Sequence, residues 1–120
     1  MKILKCNNDI HFENFEVYSE EEAVIGSYLG EPLYRKCVVK NETIAKGQQI
    51  DITSTNIKQL IKVAGTCTAA GGLYAIPCSS ETHFDFYFSK SANKLICNIA
   101  STAVSNLENV FLFIEYTKAI

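Results

Sequence analysis

The sequence predicts an all-β fold, an antiparallel β-sandwich of jelly-roll-like form with roughly seven to eight strands. Stretches such as "THFDFYFS", which begins at Thr82, alternate apolar and polar residues at the two-residue period of a strand. Turn-forming residues recur about every 10 residues, as they do between the short strands of a sandwich. The one competing helical signal is "TSTNIKQLIKV", where Thr55 or Asn56 could cap no more than one short turn.

The strands are expected to follow one another closely along the chain. Pro32 and Pro77 lie near predicted strand ends, where a missing amide hydrogen does least harm, and Gly71-Gly72 connects two strands. In the first two thirds of the chain, strands are predicted at residues 14–18, 33–40, 59–68 and 73–78.

The most specific prediction is a hairpin formed by "THFDFYFS" and "KLICNIAS", with residues 90–93 as its turn. With these residues as the loop, the register pairs every core-facing residue with another core-facing residue. The pairs are Phe84 with Ile99, Phe86 with Cys97, and Phe88 with Leu95.

The C-terminal stretch "NVFLFIEYTKAI" is apolar on both faces as far as Glu115, which is typical of a central strand. A two-layer sandwich has one interior, so the second face needs a loop, a helix or another subunit to cover it. We therefore expect self-association near this strand, and a dimer is the commonest form among soluble homo-oligomers. One face carries Val110, Leu112, Ile114 and Tyr116, and the other carries Phe111 and Phe113.

Length and composition predict a single globular domain, residues 1–120, with 48% hydrophobic and 20% charged residues. The lysines are scattered and the net charge is −2, so a nucleic-acid partner is not expected. Neither an apolar run of about 18 residues nor a signal peptide is recognisable. We therefore expect that the chain is made in a cytoplasm and is not inserted into a membrane.

The five cysteines are expected to be small core residues. Their number is odd and no C-x-x-C pair occurs, which argues against both a disulfide framework and a zinc site. Free cysteine is also among the most buried residue types. The residues are Cys6, Cys37, Cys67, Cys78 and Cys97.

Three consecutive glutamates, Glu20 to Glu22, suggest a catalytic or cation-binding cluster at first sight. Catalytic carboxylates come together from separate elements, however, and adjacent side chains diverge, so a surface turn leading into a strand is the stronger prediction. His83 and Asp85 share a strand face, but that face is open to water and no G-x-S-x-G elbow is present. With His11 as the only other histidine, we expect no catalytic residue, no metal site and no cofactor.

The outer face of the hairpin remains as a candidate ligand or partner surface. It combines an aromatic ring with polar groups of both charges, a mixture that binds sugars and protein partners. A plain solvated sheet face is the alternative interpretation. The candidate residues are His83, Asp85, Tyr87, Lys94 and Asn98, with Ile96 beside them.

Two blocks of the sequence resemble a known family. The first block is "YSEEEAVIGSYLGEPLYRK" from Tyr18 to Lys36, and the second is "IEYTK" from Ile114 to Lys118. Together with "GGLYAIP" between them, they are similar to the C-terminal modules of tail-fibre, baseplate and other minor structural proteins of phages infecting Firmicutes and related gut bacteria. The resemblance covers residues 18–120, and residues 1–17 form a lead-in segment.

This resemblance implies an all-β terminal module of a virion tail appendage, encoded by a phage or prophage and made in the bacterial cytoplasm. Such modules are often trimeric, so the resemblance favours a trimer over a dimer for the expected self-association. They support or display a surface that contacts a host-cell glycan or protein. The resemblance supplies no catalytic residue. A standalone carbohydrate-binding module of a gut bacterium is the alternative function, and a small hydrolase is a third.

Overall fold

The computed structural model describes residues 2–6, 9–13, 18–52, 56–79, 83–100 and 104–119. These residues form eleven strands and no helix, in agreement with the alternating sequence. The strands are β1 (Lys2–Cys6), β2 (Asp9–Glu13), β3 (Ala23–Tyr28), β4 (Glu31–Lys40), β5 (Ile44–Ala45), β6 (Gln49–Ile50), β7 (Ile57–Ala69), β8 (Gly72–Ile76), β9 (Phe84–Ser89), β10 (Lys94–Ile99) and β11 (Asn106–Lys118).

The strands pair in antiparallel fashion and form two sheets around one core, which confirms the predicted antiparallel β-sandwich. The larger sheet has six strands in the order β3-β4-β11-β7-β8, with β5 also beside β11. The smaller sheet has three strands in the order β6-β10-β9, and β1 pairs with β2 as a separate hairpin. Without that hairpin and the two-residue strands β5 and β6, seven strands remain, within the predicted number.

The core lies between the two sheets and is built from alternating residues of each. Phe84 and Leu95 of the smaller sheet and Leu112 of the larger sheet are fully buried. Tyr74 of β8 meets Phe84 edge-on, with ring centroids 5.8 Å apart, so a direct aromatic contact joins the sheets.

The predicted β9–β10 hairpin is confirmed in its register, including each of the three core-facing pairs. Phe88 is half-buried and the other five residues of these pairs are buried. Asn93 at the turn has a positive φ of 57°, a conformation that asparagine adopts more readily than most residues.

The central position of β11 is also confirmed, because it pairs with β4 on one side and with β7 on the other. Its inner face is buried in the core as predicted. β7 approaches β11 so closely that a Cβ atom at Gly65 would lie 1.9 Å from the carbonyl oxygen of Phe111. Glycine is therefore required at this crossing.

The second face of β11 is covered in part by a loop, one of the three kinds of cover expected from the sequence. The Tyr18 ring lies edge-on against Phe113, with centroids 5.4 Å apart, and 6.4 Å from the ring of Phe111. The Cys37 amide donates a hydrogen bond to the Ser19 carbonyl at 2.8 Å, which holds this loop against β4. Phe111 and Phe113 are half-buried. Self-association, as a trimer or a dimer, stays a prediction.

Other local predictions have mixed outcomes. The strand expected at 14–18 falls on residues 14–17, outside the described residues, and on Tyr18, which lies in no strand. β7 begins at Ile57, so "IKQLIKV" is extended, because pairing with β11 outweighs its local helical signal. In the part of the chain that the structure describes, no helix could cross a membrane.

Phe86→Ala should lower the free energy of unfolding by about 3–5 kcal/mol, since it deletes a buried ring and leaves a cavity. Urea denaturation followed by circular dichroism measures the change. Tyr87→Ala is the matched control on the same strand, and because this ring is 52% exposed its loss should stay within about 0.5 kcal/mol. A cost below about 1 kcal/mol for Phe86→Ala would mean that the strand faces are assigned the wrong way round.

Candidate functional site

The structure brings all the predicted surface residues together on the outer face of the β9–β10 hairpin. Successive cross-strand pairs on one face lie about 7 Å apart along the strands. The opposite face of the same hairpin is fixed in the core, so the backbone beneath the surface is held rigidly. The residues are His83, Asp85, Tyr87, Lys94 and Asn98.

Asp85 forms the polar centre of this surface. Asn98, directly opposite on β10, donates a hydrogen bond from Nδ2 to Asp85 Oδ1 at 3.0 Å. His83 Nε2 lies 3.9 Å from Asp85 Oδ2, and the two side chains are 43% and 38% exposed. The carboxylate is therefore held in one orientation while part of it faces solvent.

Tyr87 forms the apolar centre. It is 52% exposed and lies opposite Ile96, which is half-buried. An open tyrosine ring offers apolar contact along its face and a hydroxyl group at its tip. Lys94 lies one pair closer to the turn, opposite Ser89. The surface thus places an aromatic ring between a carboxylate–amide pair and an ammonium group.

This arrangement can hold a ligand by apolar contact and hydrogen bonds. A hydrolytic triad would need His83 to be oriented by Asp85 within a site that excludes water, whereas this pair is long and half exposed. Among the described residues, no group of three or more His, Cys, Asp and Glu side chains could hold a metal ion. The expectation that no metal and no cofactor is bound stays a prediction.

A second cluster, which the sequence did not predict, joins the two blocks that carry the family resemblance. Arg35 of the first block and Glu115 of the second lie directly opposite each other on β4 and β11. Arg35 donates from Nε to Glu115 Oε2 at 3.0 Å and also from Nη2 to the same oxygen. The two residues are 5% and 8% exposed, so this is a buried ion pair.

Aromatic rings lie against the Arg35 guanidinium in this cluster. Its central carbon lies 4.7 Å from the ring centroid of Tyr18 and 5.1 Å from that of Phe113. Both distances are within the range of a cation–π contact. Tyr18, the first residue of its block, therefore packs directly against the buried ion pair.

The same blocks meet on the inner side of the sheet as well. The Tyr34 and Tyr116 rings are stacked, with centroids 6.0 Å apart and an interplanar angle of 20°. The Tyr116 hydroxyl donates to the carboxylate of Glu22, and Lys118 Nζ donates to Glu22 Oε1 at 2.7 Å. Lys118 Nζ also lies 4.9 Å from the Tyr34 ring centroid. Residues of both blocks thus interlock on the two faces of one sheet.

The acidic run therefore divides into two parts. Glu20 and Glu21 are exposed in a bend before β3, as the prediction of a surface turn requires. Glu22 is anchored to β11, and nothing in the sequence distinguishes it from its neighbours. Glu115 did leave a signal, because it directly follows the apolar residues 110–114, where charge is rarely buried without a partner. Arg35 left none, since its strand also carries other charged residues.

A cleft of about 490 Å³ opens beside Tyr34 and Lys118. Glu31 in its wall is bound by Lys58 Nζ at 2.9 Å, and Lys118 is bound to Glu22. Its acidic and basic side chains thus form ion pairs with neighbours, which favours a structural role for this region. The lining consists of Gly30, Glu31, Pro32, Tyr34, Asn56, Lys118 and Ala119.

Comparisons of the chain with family models, with curated proteins and with solved structures found no match. The resemblance to phage tail modules stays a prediction, and it rests on the two sequence blocks.

The four cysteines whose burial the structure describes are not part of the candidate surface, although Cys97 faces the core from the same hairpin. Cys37, Cys67 and Cys97 are buried, Cys78 is half-buried, and all four are free thiols. Burial removes the hydration of the thiolate and is the main reason why the pKa of the Cys67 and Cys97 thiols is raised to about 11. A neighbouring thiol contributes to each shift, and Asp85 also contributes to that of Cys97. The Cys6 side chain lies outside the described residues.

We expect the raised pKa values of Cys67 and Cys97 to make stability depend on pH in the alkaline range. In the unfolded chain these thiols have their ordinary pKa of 9.0, whereas in the folded protein it is about 11. As the pH rises from 9 to 11, the unfolded chain therefore loses these protons before the folded protein does. The stabilisation is thus complete below pH 9 and disappears as the pH rises towards 11. Urea denaturation of the wild type and of Cys67→Ala/Cys97→Ala tests this, and parallel pH profiles of the two proteins would contradict it.

Arg35→Met should destabilise the fold by about 3–5 kcal/mol, because it leaves the Glu115 carboxylate buried without its cation. The double variant Arg35→Met/Glu115→Met should be more stable than this single variant, since no charge remains buried. Thermal and urea unfolding of the three proteins measures the difference. A single variant as stable as the wild type would mean that the pair is solvated in solution.

Proposed function

We propose that the chain is a non-enzymatic module of a phage or prophage virion tail appendage, and that it contacts the host-cell surface through the outer face of the β9–β10 hairpin. The observation that carries this proposal is the exposed Tyr87 ring beside the fixed Asp85–Asn98 pair. A host contact of this kind would be made by the virion tail after assembly in the bacterial cytoplasm.

The arrangement of the two sequence blocks supports this proposal. Arg35 and Glu115 are 80 residues apart in the chain, yet they meet in one buried cluster with Tyr18. The blocks therefore have a structural reason to occur together. The hairpin residues proposed to contact the host belong to neither block, so the contact surface can differ between modules that share the same frame.

A host-surface glycan suits the chemistry of the hairpin face. The C–H groups of a sugar ring can pack on Tyr87, while the carboxylate of Asp85 and the ammonium of Lys94 are placed to bind hydroxyl groups. Aromatic side chains of this kind are also frequent anchors in protein–protein contacts, so a host protein is the other class of receptor.

The same Tyr87 surface favours one further candidate function, a standalone carbohydrate-binding module of a gut bacterium. The two candidate functions use the same contact surface, and they differ in the genes that would surround the coding sequence. Tail, holin or endolysin genes beside the coding sequence would support the phage module. A polysaccharide-utilisation cluster there would overturn it.

Tyr87→Ala should weaken binding to cells of a Firmicutes panel, or to glycans on an array, at least about tenfold, since an aromatic anchor contributes about 2 kcal/mol or more. The fluorescence of labelled protein bound to the cells or to the array measures the binding in each case. Val24→Ala is the control, because Val24 is 60% exposed and belongs to β3, an edge strand of the larger sheet, whereas the hairpin belongs to the smaller sheet.

The outcomes of this experiment separate the parts of the proposal. Wild-type protein that binds neither cells nor glycans would reject the host contact. Wild-type protein that binds, with Tyr87→Ala binding equally well, would place the contact on another face.

A further inference from the structure

The outer face of the six-stranded sheet carries a belt without charged residues. The registers place Val39, Phe111, Thr66 and Ala75 in one row across β4, β11, β7 and β8. The next row contains Cys37, Phe113 and Ala64. We call these two rows the outer belt.

Among the described residues, Tyr18 and Lys62 cover part of the outer belt, and Lys62 Nζ lies 5.4 Å from the centroid of the Phe113 ring. Tyr18 lies over Phe113 and reaches towards Phe111, but it is itself 50% exposed. Val39 is 41% exposed, and Leu73 at the end of the belt is 89% exposed. An uncharged sheet face on which apolar side chains are exposed in this way is a candidate interaction site.

Opposite charges border the outer belt at its two ends. At one end is Lys62, which is exposed and lies opposite Glu115, whose charge is already paired with Arg35. At the other end is Glu108, also exposed, which lies opposite Thr68. Along β7 these two positions are about 20 Å apart, at equal distances from the middle of the belt.

A surface with this pattern is complementary to itself. Two copies can face each other so that each strand runs opposite to the same strand of the other copy. The Lys62 end of each copy then lies over the Glu108 end of the other. With strands running in the same direction, like charges would meet. Packed sheets keep their strands nearly aligned, so this antiparallel arrangement is compatible with ordinary sheet packing.

We infer that the outer belt is a self-association surface, and that it pairs with the belt of a second copy about a two-fold axis perpendicular to the strands. The two-fold axis generates each Lys62–Glu108 contact twice, so charge complementarity fixes the direction while apolar contact supplies the attraction. This choice of a dimer goes beyond the proposed host contact, which lies on the other sheet.

Analytical ultracentrifugation over a concentration series tests this dimer with the full chain. The wild type should shift from monomer to dimer with rising concentration. Glu108→Lys and Lys62→Glu should each weaken the dimer about tenfold, because like charges then face each other twice. The exchange variant Lys62→Glu/Glu108→Lys should recover the wild-type affinity to within about threefold, since the complementarity is restored with reversed sign.

Two further variants control for folding and location. Lys94→Glu lies on the smaller sheet and should leave the dimer unchanged, whereas Val39→Lys places a charge within the belt and should abolish the dimer. A thermal melt establishes that each variant is folded. A mass that stays monomeric at all concentrations, a trimer, or a dimer insensitive to both Glu108→Lys and Val39→Lys would overturn the inference.

Discussion

The larger sheet depends on β11, a central strand that carries apolar side chains on both of its faces. The strand pairs with β4 and β7 along most of its length, and its inner residues fill the core against the smaller sheet. Because the outer residues Phe111 and Phe113 are apolar as well, the chain must supply cover on the far side of the sheet. The Tyr18 loop and its hydrogen bond to β4 supply part of this cover, and the outer belt is the part of the face that they leave exposed.

The buried Arg35–Glu115 pair has a different role from the apolar contacts around it. Two ions lose hydration when they are buried, and their attraction repays this cost only when the geometry is good, so such a pair contributes little net stability. Its position is nevertheless informative. A slip of one residue between β4 and β11 would turn one of the two charged side chains to the opposite face of the sheet, away from its partner. We interpret the pair as a device that fixes the strand register beneath Tyr18.

The sequence predicted the parts of the fold that depend on local pattern. The strict alternation in "THFDFYFS" determined the hairpin register, and the two-sided apolar pattern of "VFLFIEY" determined the central position of β11. Alternation carries no information on which strands become neighbours, so the strand order and the meeting of Arg35 with Glu115 could not be predicted. The contact of Glu22 with Tyr116 was missed for the same reason.

The candidate surface shows the same division. Strand alternation placed His83, Asp85 and Tyr87 on one face, and the hairpin register added Lys94 and Asn98. The hydrogen bond between Asp85 and Asn98 follows from that register, because the two residues are directly opposite each other. Ligand identity does not follow, since a sheet face of this composition suits more than one chemistry.

The place of β11 in the sheet also affects how the protein can be made. A ribosome releases the chain from its N-terminal end, so β4 and β7 emerge well before the strand that must lie between them. Until residues 106–118 leave the exit tunnel, the two halves of the larger sheet have no common neighbour, and Arg35 has no carboxylate to meet. Long-range pairing of this kind slows folding. Until residue 118 has been translated, β4 and β7 each present an edge that lacks its partner strand, and exposed edges of this kind can pair with those of neighbouring chains.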